Sequence, residues 1–154
     1  MPNAFPRNAS LPALKARSYY SFCQGVASPD RLVTYAMELG INALALCDRD
    51  VLTGVPEFIR SCRQNGMKPV VGCEFELPSG SGLTLLARNA EGYRNLLSVS
   101  TLASSGIEMN HELLDGLTGG LVGLLSPSSS ESEAGVRILC DLFGLCFSVC
   151  CGKL

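Results

Sequence analysis

The sequence predicts an α/β domain of mostly parallel strands, with a barrel favoured over a doubly wound open sheet. Three observations carry this. Ala43-Leu44-Ala45-Leu46-Cys47 is apolar at every position and runs straight into Asp48-Arg49-Asp50. Only a strand covered on both faces is apolar throughout, so the charges mark the edge of a core. Strand-like runs alternate with helical patterns at short spacing, which means βαβ crossovers and parallel pairing. No Gly-x-Gly-x-x-Gly turn follows a strand, so the fingerprint of a dinucleotide-binding open sheet is missing. In either architecture sites are built at the carboxyl ends of the strands, which makes Asp48 the first candidate ligand or base.

The elements follow in order. Residues 1 to 12 hold Pro2, Pro6 and Pro12 and read as an irregular lead-in, leaving 13 to 154 as one domain. Leu11 to Arg17 supplies a first strand carrying Lys15 and Arg17. Ser28-Pro29-Asp30 is a helix start, with a capping hydroxyl, proline at the first helical position and an acid at the positive end of the dipole. Leu32, Val33, Ala36, Met37 and Leu39 form its apolar stripe, and Gly40 ends it. A strand over Ile41 to Cys47, a helix over Val55 to Asn65 closed by Gly66, and a strand over Pro69 to Phe75 come next. Pro78 to Gly82 is a turn into the strand Leu83 to Ala87. Asn89 caps a helix reaching about Ala103, and a short helix runs from Asn110 to Leu114. Leu121 to Leu125 is a buried strand. The serine-rich stretch Pro127 to Glu133 becomes the first turn of a helix ending near Phe143-Gly144, and Leu145 to Cys151 is a last strand.

Composition narrows the function. With 154 residues, 47% hydrophobic and 17% charged, the chain is long enough for one domain with a real core. A net charge of -2 disfavours direct DNA binding, because a lone domain that grips phosphates normally needs a basic face. No stretch approaches the roughly 18 apolar residues of a membrane span, and the start lacks the apolar core of a signal peptide, so the expected location is the cytoplasm. Of the eight cysteines, Cys47, Cys62, Cys73 and Cys140 fall on apolar faces and read as buried free thiols. Cys23, Cys146, Cys150 and Cys151 form no Cys-x-x-Cys pair.

Charged residues gather at successive strand ends: Lys15 and Arg17, then Asp48, Arg49 and Asp50, then Glu74. A barrel brings such ends to one mouth. Asp48 and Asp50 lie two apart after a strand, where they more often cap or turn the backbone than serve as an acid/base pair. Ser126 to Ser132 reads as a solvated loop, since no His-Asp signal accompanies it. Tyr19, Tyr20 and Phe22 read as packing over the mouth, with base stacking the sharper alternative.

Several separated motifs occur in a particular order. They are Ser18-Tyr19-Tyr20-Ser21-Phe22, Ser28-Pro29-Asp30-Arg31-Leu32-Val33, Ala43 to Asp50, Pro69-Val70-Val71-Gly72-Cys73-Glu74, and Leu83 to Asn89 with Glu91-Gly92-Tyr93-Arg94-Asn95-Leu96. Together they resemble the N-terminal polymerase and histidinol phosphatase (PHP) domain of bacterial DNA polymerase III alpha subunits. The resemblance is dense from 15 to 103 and weaker from 104 to 154. It implies a distorted (β/α) barrel, incomplete here because the chain is shorter than the family's domain. It also implies a three-metal site in active members, where histidines with an Asp and a Glu support phosphoester hydrolysis or proofreading.

The departures from that pattern matter. Lys15 and Arg17 stand where the family has His-x-His, Arg49 where Asp-His continues, and Gly82 where a histidine precedes the Leu-Thr-Leu-Leu strand; His111 matches no ligand position. Only Asp48 and Glu74 remain as ligands. Arginine is a donor only and offers a metal no lone pair. The expectation is therefore an ion-pair or anion cluster of Lys15, Arg17, Asp48, Arg49 and Glu74 at the barrel mouth, without catalytic residues or cofactor. Such a domain would serve replication or repair synthesis as a structural or interaction module, its partner being the remainder of a polymerase or its proofreading subunit. An open edge near Leu145 to Cys151 would favour self-association. The alternative is a zinc- or manganese-dependent phosphoesterase or proofreading nuclease with an atypical site.

Overall fold

The computed structural model describes residues 12–144 and 147–149. The lead-in over 1 to 11, and the last strand outside 147–149, lie beyond the described residues. Strands β1 (Ala13–Ala16), β2 (Ala43–Arg49), β3 (Lys68–Glu76), β4 (Gly82–Ala87), β5 (Leu121–Ser126) and β6 (Phe147–Val149) form one sheet in sequential order. It curls into a half-barrel, with β1 and β6 at its edges. The helices are α1 (Pro29–Glu38), α2 (Val55–Gln64), α3 (Ala90–Ser104), α4 (His111–Leu114) and α5 (Glu133–Phe143).

Local chemistry sets these boundaries. The side chains of Ser28, Asn89, Asn110 and Ser132 each accept a hydrogen bond from a backbone N–H in the first turn of α1, α3, α4 and α5. Each thereby satisfies one of the donors that a helix start leaves without an intrahelical partner. Gly40 and Gly66 follow α1 and α2 at φ 75° and 67°, a conformation that costs glycine little.

Pairing is parallel for β1–β2, β2–β3 and β5–β6, but β4 runs antiparallel to both neighbours. The sheet is mostly parallel, as expected from the sequence, and β4 is the exception, entered through the turn expected at Pro78 to Gly82. Residues 77–81 are too few for a crossover, which takes about a dozen. They form a tight hairpin instead, closed by Leu77 N–H donating to the Ser81 carbonyl at 2.9 Å.

The period of two along each strand sorts side chains between the faces. Leu44 and Leu46 of β2 pack with Val33, Ala36, Phe58 and Cys62 under α1 and α2. Phe75, Leu83, Leu85, Leu121 and Leu125 pack with Leu96, Val99, Leu114, Leu139 and Phe143 under α3, α4 and α5. Ala45, Cys47 and Leu86 line the concave face with Val70, Val122 and Leu124.

Cys47, Cys62 and Cys73 are buried free thiols, whereas Cys140 is exposed, contrary to the expectation from its apolar surroundings. Helix α5 buries Leu139 and Phe143, four residues apart, and Cys140 lies one step round the helix from that stripe. Burial pushes the Cys47 thiol up from 9.0 to about 12 and Cys62 to about 11, and drives Cys73 higher still. In native protein at pH 8, iodoacetamide labelling followed by peptide mapping is expected to modify Cys23 and Cys140 and to spare Cys47, Cys62 and Cys73. Native-state labelling at Cys47 equal to that at Cys23 would contradict this packing.

Candidate functional site

The concave upper rim is built from residues that alternate onto one face. Lys15 of β1, Arg17 just beyond it, Arg49 at the end of β2, Glu74 and Glu76 of β3, Gly82 of β4 and Ser126 of β5 line a polar cleft of about 310 Å³. Glu74, 7% exposed, is its centre. Lys15 Nζ donates to Glu74 Oε1 at 2.7 Å, and Arg17 Nε donates to Oε2 at 2.8 Å with Nη2 on the same oxygen. Arg17 Nη1 also holds Gln24 Oε1 at 2.8 Å. Both carboxylate oxygens are thus occupied by cations of β1 and its exit.

Arg49 serves a different partner, pairing with Glu76 and lying 3.7 Å from Asp50 Oδ2. Asp50 has φ 60°, donates its N–H to the Glu74 carbonyl at 2.9 Å, and accepts at its own carbonyl from Ser100 Oγ at 3.0 Å. Partial burial raises the Asp50 carboxyl above its ordinary value, with Arg49 opposing and Glu76 and Glu74 adding to the rise. Its backbone position and side-chain pairing place it in a turn, away from any acid/base partnership with Asp48.

Asp48 does not join the rim. As the neighbour of Arg49 on a pleated strand it points to the opposite face, where it is 1% exposed beneath the loop 17–28. Oδ1 accepts from Ser18 N–H at 2.6 Å and Ser21 Oγ at 2.7 Å, and Oδ2 accepts from Ser18 Oγ at 2.7 Å. The two hydroxyls in turn accept from Tyr20 N–H at 3.2 Å and Arg49 N–H at 3.1 Å. The five residues expected as one cluster are therefore two structures, and strand alternation is the reason. The role of Ser18 and Ser21 was missed because nothing in their spacing points at a carboxylate 27 to 30 residues away.

The loop's aromatics also divide. Tyr19 and Tyr20 lie with ring centroids 4.6 Å apart, and Tyr20 packs where a side chain on Gly54 would stand. Phe22 is 91% exposed, so it does not pack over the mouth. His111 is exposed at the start of α4, beside Leu77 and Glu131 in another cavity.

The side chains gathered on Glu74 are hydrogen-bond donors rather than metal ligands. Lys15 and Arg17 offer N–H groups and no lone pair, and they occupy both oxygens of Glu74. Among the described residues no group of three or more His, Cys, Asp or Glu is arranged to hold a metal ion. A Cβ on Gly82 would stand 2.8 Å from Glu74 Oε1, so the cation-bound position of Glu74 needs glycine there. Replacing Glu74 with Gln keeps the shape but leaves Lys15 and Arg17 without a counter-charge. The expected loss is about 2 kcal/mol in urea unfolding, between the value for an exposed pair and that for a fully buried one. A loss below a few tenths would show that solvent already carries these cations.

The model of the PHP domain family matches residues 13–134. The chain belongs to the PHP family. This PHP domain is 29% identical over 142 residues to error-prone DNA polymerase 3 of Agrobacterium fabrum, 88% of this chain and 13% of that protein. It is 43% identical over 127 residues to the error-prone DNA polymerase of Bordetella parapertussis, covering 79% and 11%. With the DNA polymerase III subunit alpha of Chlamydia trachomatis the identity is 38% over 104 residues, covering 58% and 8%. The chain therefore spans about a tenth of the length of these relatives.

Among solved structures it resembles a protein assigned as a metal-dependent phosphoesterase from Bifidobacterium adolescentis, with TM-score 0.57 and 14% identity, covering 89% of this chain and 77% of that one. An amidohydrolase from Chromobacterium violaceum gives TM-score 0.55 and 13% identity, covering 92% and 76%. At such identities the likeness shows the shared fold. No helix among the described residues is long and apolar enough to cross a membrane.

Proposed function

We propose that this PHP domain is a non-catalytic structural and interaction module of bacterial replication or repair synthesis, working with a DNA polymerase of the III alpha or error-prone type in the cytoplasm. The observation that carries the reading is the chemistry around Glu74. Fixed charge from Lys15 and Arg17 neutralises the carboxylate that would otherwise await a metal, so the rim stays ordered with nothing bound. The partner is the rest of such a polymerase or its proofreading subunit, because the named relatives carry a matching segment within much longer chains.

The test is metal content by plasma mass spectrometry on protein purified without chelator, with thermal unfolding followed before and after adding zinc or manganese. The expected result is no stoichiometric metal, no shift in melting beyond a degree, and no hydrolysis of bis-p-nitrophenyl phosphate. One equivalent of metal with a clear rise in melting, and hydrolysis lost in Glu74→Ala, would overturn the proposal in favour of a phosphoesterase or proofreading nuclease.

A further inference from the structure

A cavity of about 240 Å³ opens where the turn between β3 and β4 meets the start of α4 and the first turns of α5. It shares no lining residue with the cleft around Glu74. Leu77, Pro78 and Leu139 give it apolar walls, and Asn110, His111 and Glu131 are the polar side chains that converge on them.

Glu131 is held in place without being neutralised. Ser79 Oγ donates to its Oε2 at 2.6 Å, and the Ser79 carbonyl accepts from Ser128 Oγ at 2.6 Å, which ties the turn to the segment before α5. Burial acts to raise the Glu131 carboxyl, but the Ser79 and Ser81 hydroxyls and the Ser132 N–H outweigh it and hold it below its ordinary value. It is therefore ionised at neutral pH. A Cβ on Gly135 would stand 2.5 Å from Oε1, so the bare glycine leaves that oxygen its room on the cavity wall. Among the described residues no cation forms an ion pair with Glu131, and Arg137, which borders a neighbouring cavity with Glu131 and Glu133, forms none either.

The surroundings carry the same sign. From Asn95 to Val136 the sequence has no lysine or arginine, yet it has Glu108, Glu112, Asp115, Glu131 and Glu133. Apart from Glu131 these acids are exposed, and none is ion-paired among the described residues. An apolar cavity with one fixed carboxylate in an acidic neighbourhood fits one positive charge on an apolar stem. We propose that this cavity receives an arginine side chain from a basic segment of the partner polymerase, its guanidinium on Glu131 and its stem against Leu77, Pro78 and Leu139. The inference rests on the reading of the domain as an interaction module. A free amino acid would bring a carboxylate that Glu131 repels, and a polyamine would bring charges that the apolar walls leave unpaired. Arginine is favoured over lysine because a guanidinium is more weakly hydrated and costs less to desolvate. Its fork can also use Asn110 Oδ1, which keeps a lone pair after accepting from Leu113 N–H at 2.9 Å.

The experiment is titration of the 15N-labelled full chain with acetyl-Leu-Arg-Leu-amide, followed by amide chemical shifts. Saturable shifts are expected at Ser79, His111 and Gly135, with a Kd of about 1 mM, as one ionic contact in an open cavity supports. Acetyl-Leu-Gln-Leu-amide should bind at least tenfold more weakly. Glu131→Gln should weaken the arginine peptide about tenfold while keeping an acceptor for Ser79, and Glu133→Gln should change its Kd less than twofold. No saturation, shifts centred on the Glu74 cleft, or equal losses in the two variants would overturn the proposal. Free arginine binding as tightly as the peptide would overturn it in favour of a small-molecule site. Stoichiometric metal in the measurement above would end the module reading, whereas these titrations decide the cavity, so the two fail separately.

Discussion

Replacing Asp48 with alanine is expected to destabilise the domain by about 4 kcal/mol, because it strips a buried charged acceptor from three donors at once. Ser18 N–H, Ser18 Oγ and Ser21 Oγ all end on this carboxylate within 2.7 Å. Alanine leaves them in a pocket that excludes water at Asp48 itself, which is 1% exposed. Hydrogen bonds to a charged partner contribute about 1.5 to 3 kcal/mol each, but three sharing one carboxylate do not add in full. For a chain of this length the loss corresponds to a fall in melting temperature of about 8 to 16 °C. Asp48→Asn should recover part of it, since one oxygen survives as acceptor while the amide nitrogen faces a hydroxyl or N–H as a second donor. Urea unfolding of the three proteins decides the matter. A loss under 1 kcal/mol for the alanine variant would mean that the loop 17–28 is held by something other than this carboxylate.

The second large effect is expected at Gly25, where alanine should cost about 3 kcal/mol through overpacking against backbone that has little room to move. A Cβ there would lie 1.9 Å from the Ser18 carbonyl oxygen and 2.5 Å from its carbon. The loop folds back on itself at this point, with Ser21 and Gly25 N–H groups donating to Ser18 and Ser21 carbonyls at 3.0 and 3.1 Å. Relief of the clash moves Ser18, and moving Ser18 pulls it from Asp48. The cost of Gly25→Ala is therefore capped near the energy of the Asp48 contacts. The double variant with Asp48→Ala should accordingly lose less than the sum of the two singles by at least 1 kcal/mol. Additive losses would show that loop and carboxylate are independent. In either single variant, Arg17 should keep Glu74, because that pairing lies on the other face of the sheet.

These two residues also show how far the chain could be read before its fold was known. Asp48 was visible as a charge at the end of an apolar strand, and the strand is where the reading put it. Its partners were not visible. Ser18 and Ser21 sit in a stretch with no helical or strand period, and a hydroxyl declares no partner until the backbone brings one within 3 Å. Glu74 was legible as a candidate for a related reason, as an acid closing an apolar run. That it would take Lys15 and Arg17, while Arg49 turned to Glu76, depended on parity along three strands and on the register between them.

Sequence alone determined the element order, the helix starts at Ser28, Asn89 and Asn110, and the membership of the PHP family, because caps, glycine stops and apolar periods are local properties of the chain. Tertiary structure alone decided that β4 runs antiparallel to both of its neighbours, that Asp48 and Arg49 part to opposite faces, and that Cys140 is exposed. Each of these depends on which strands pair and which face a helix buries. Such choices are made by residues tens of positions apart, between which a one-dimensional pattern carries no distance.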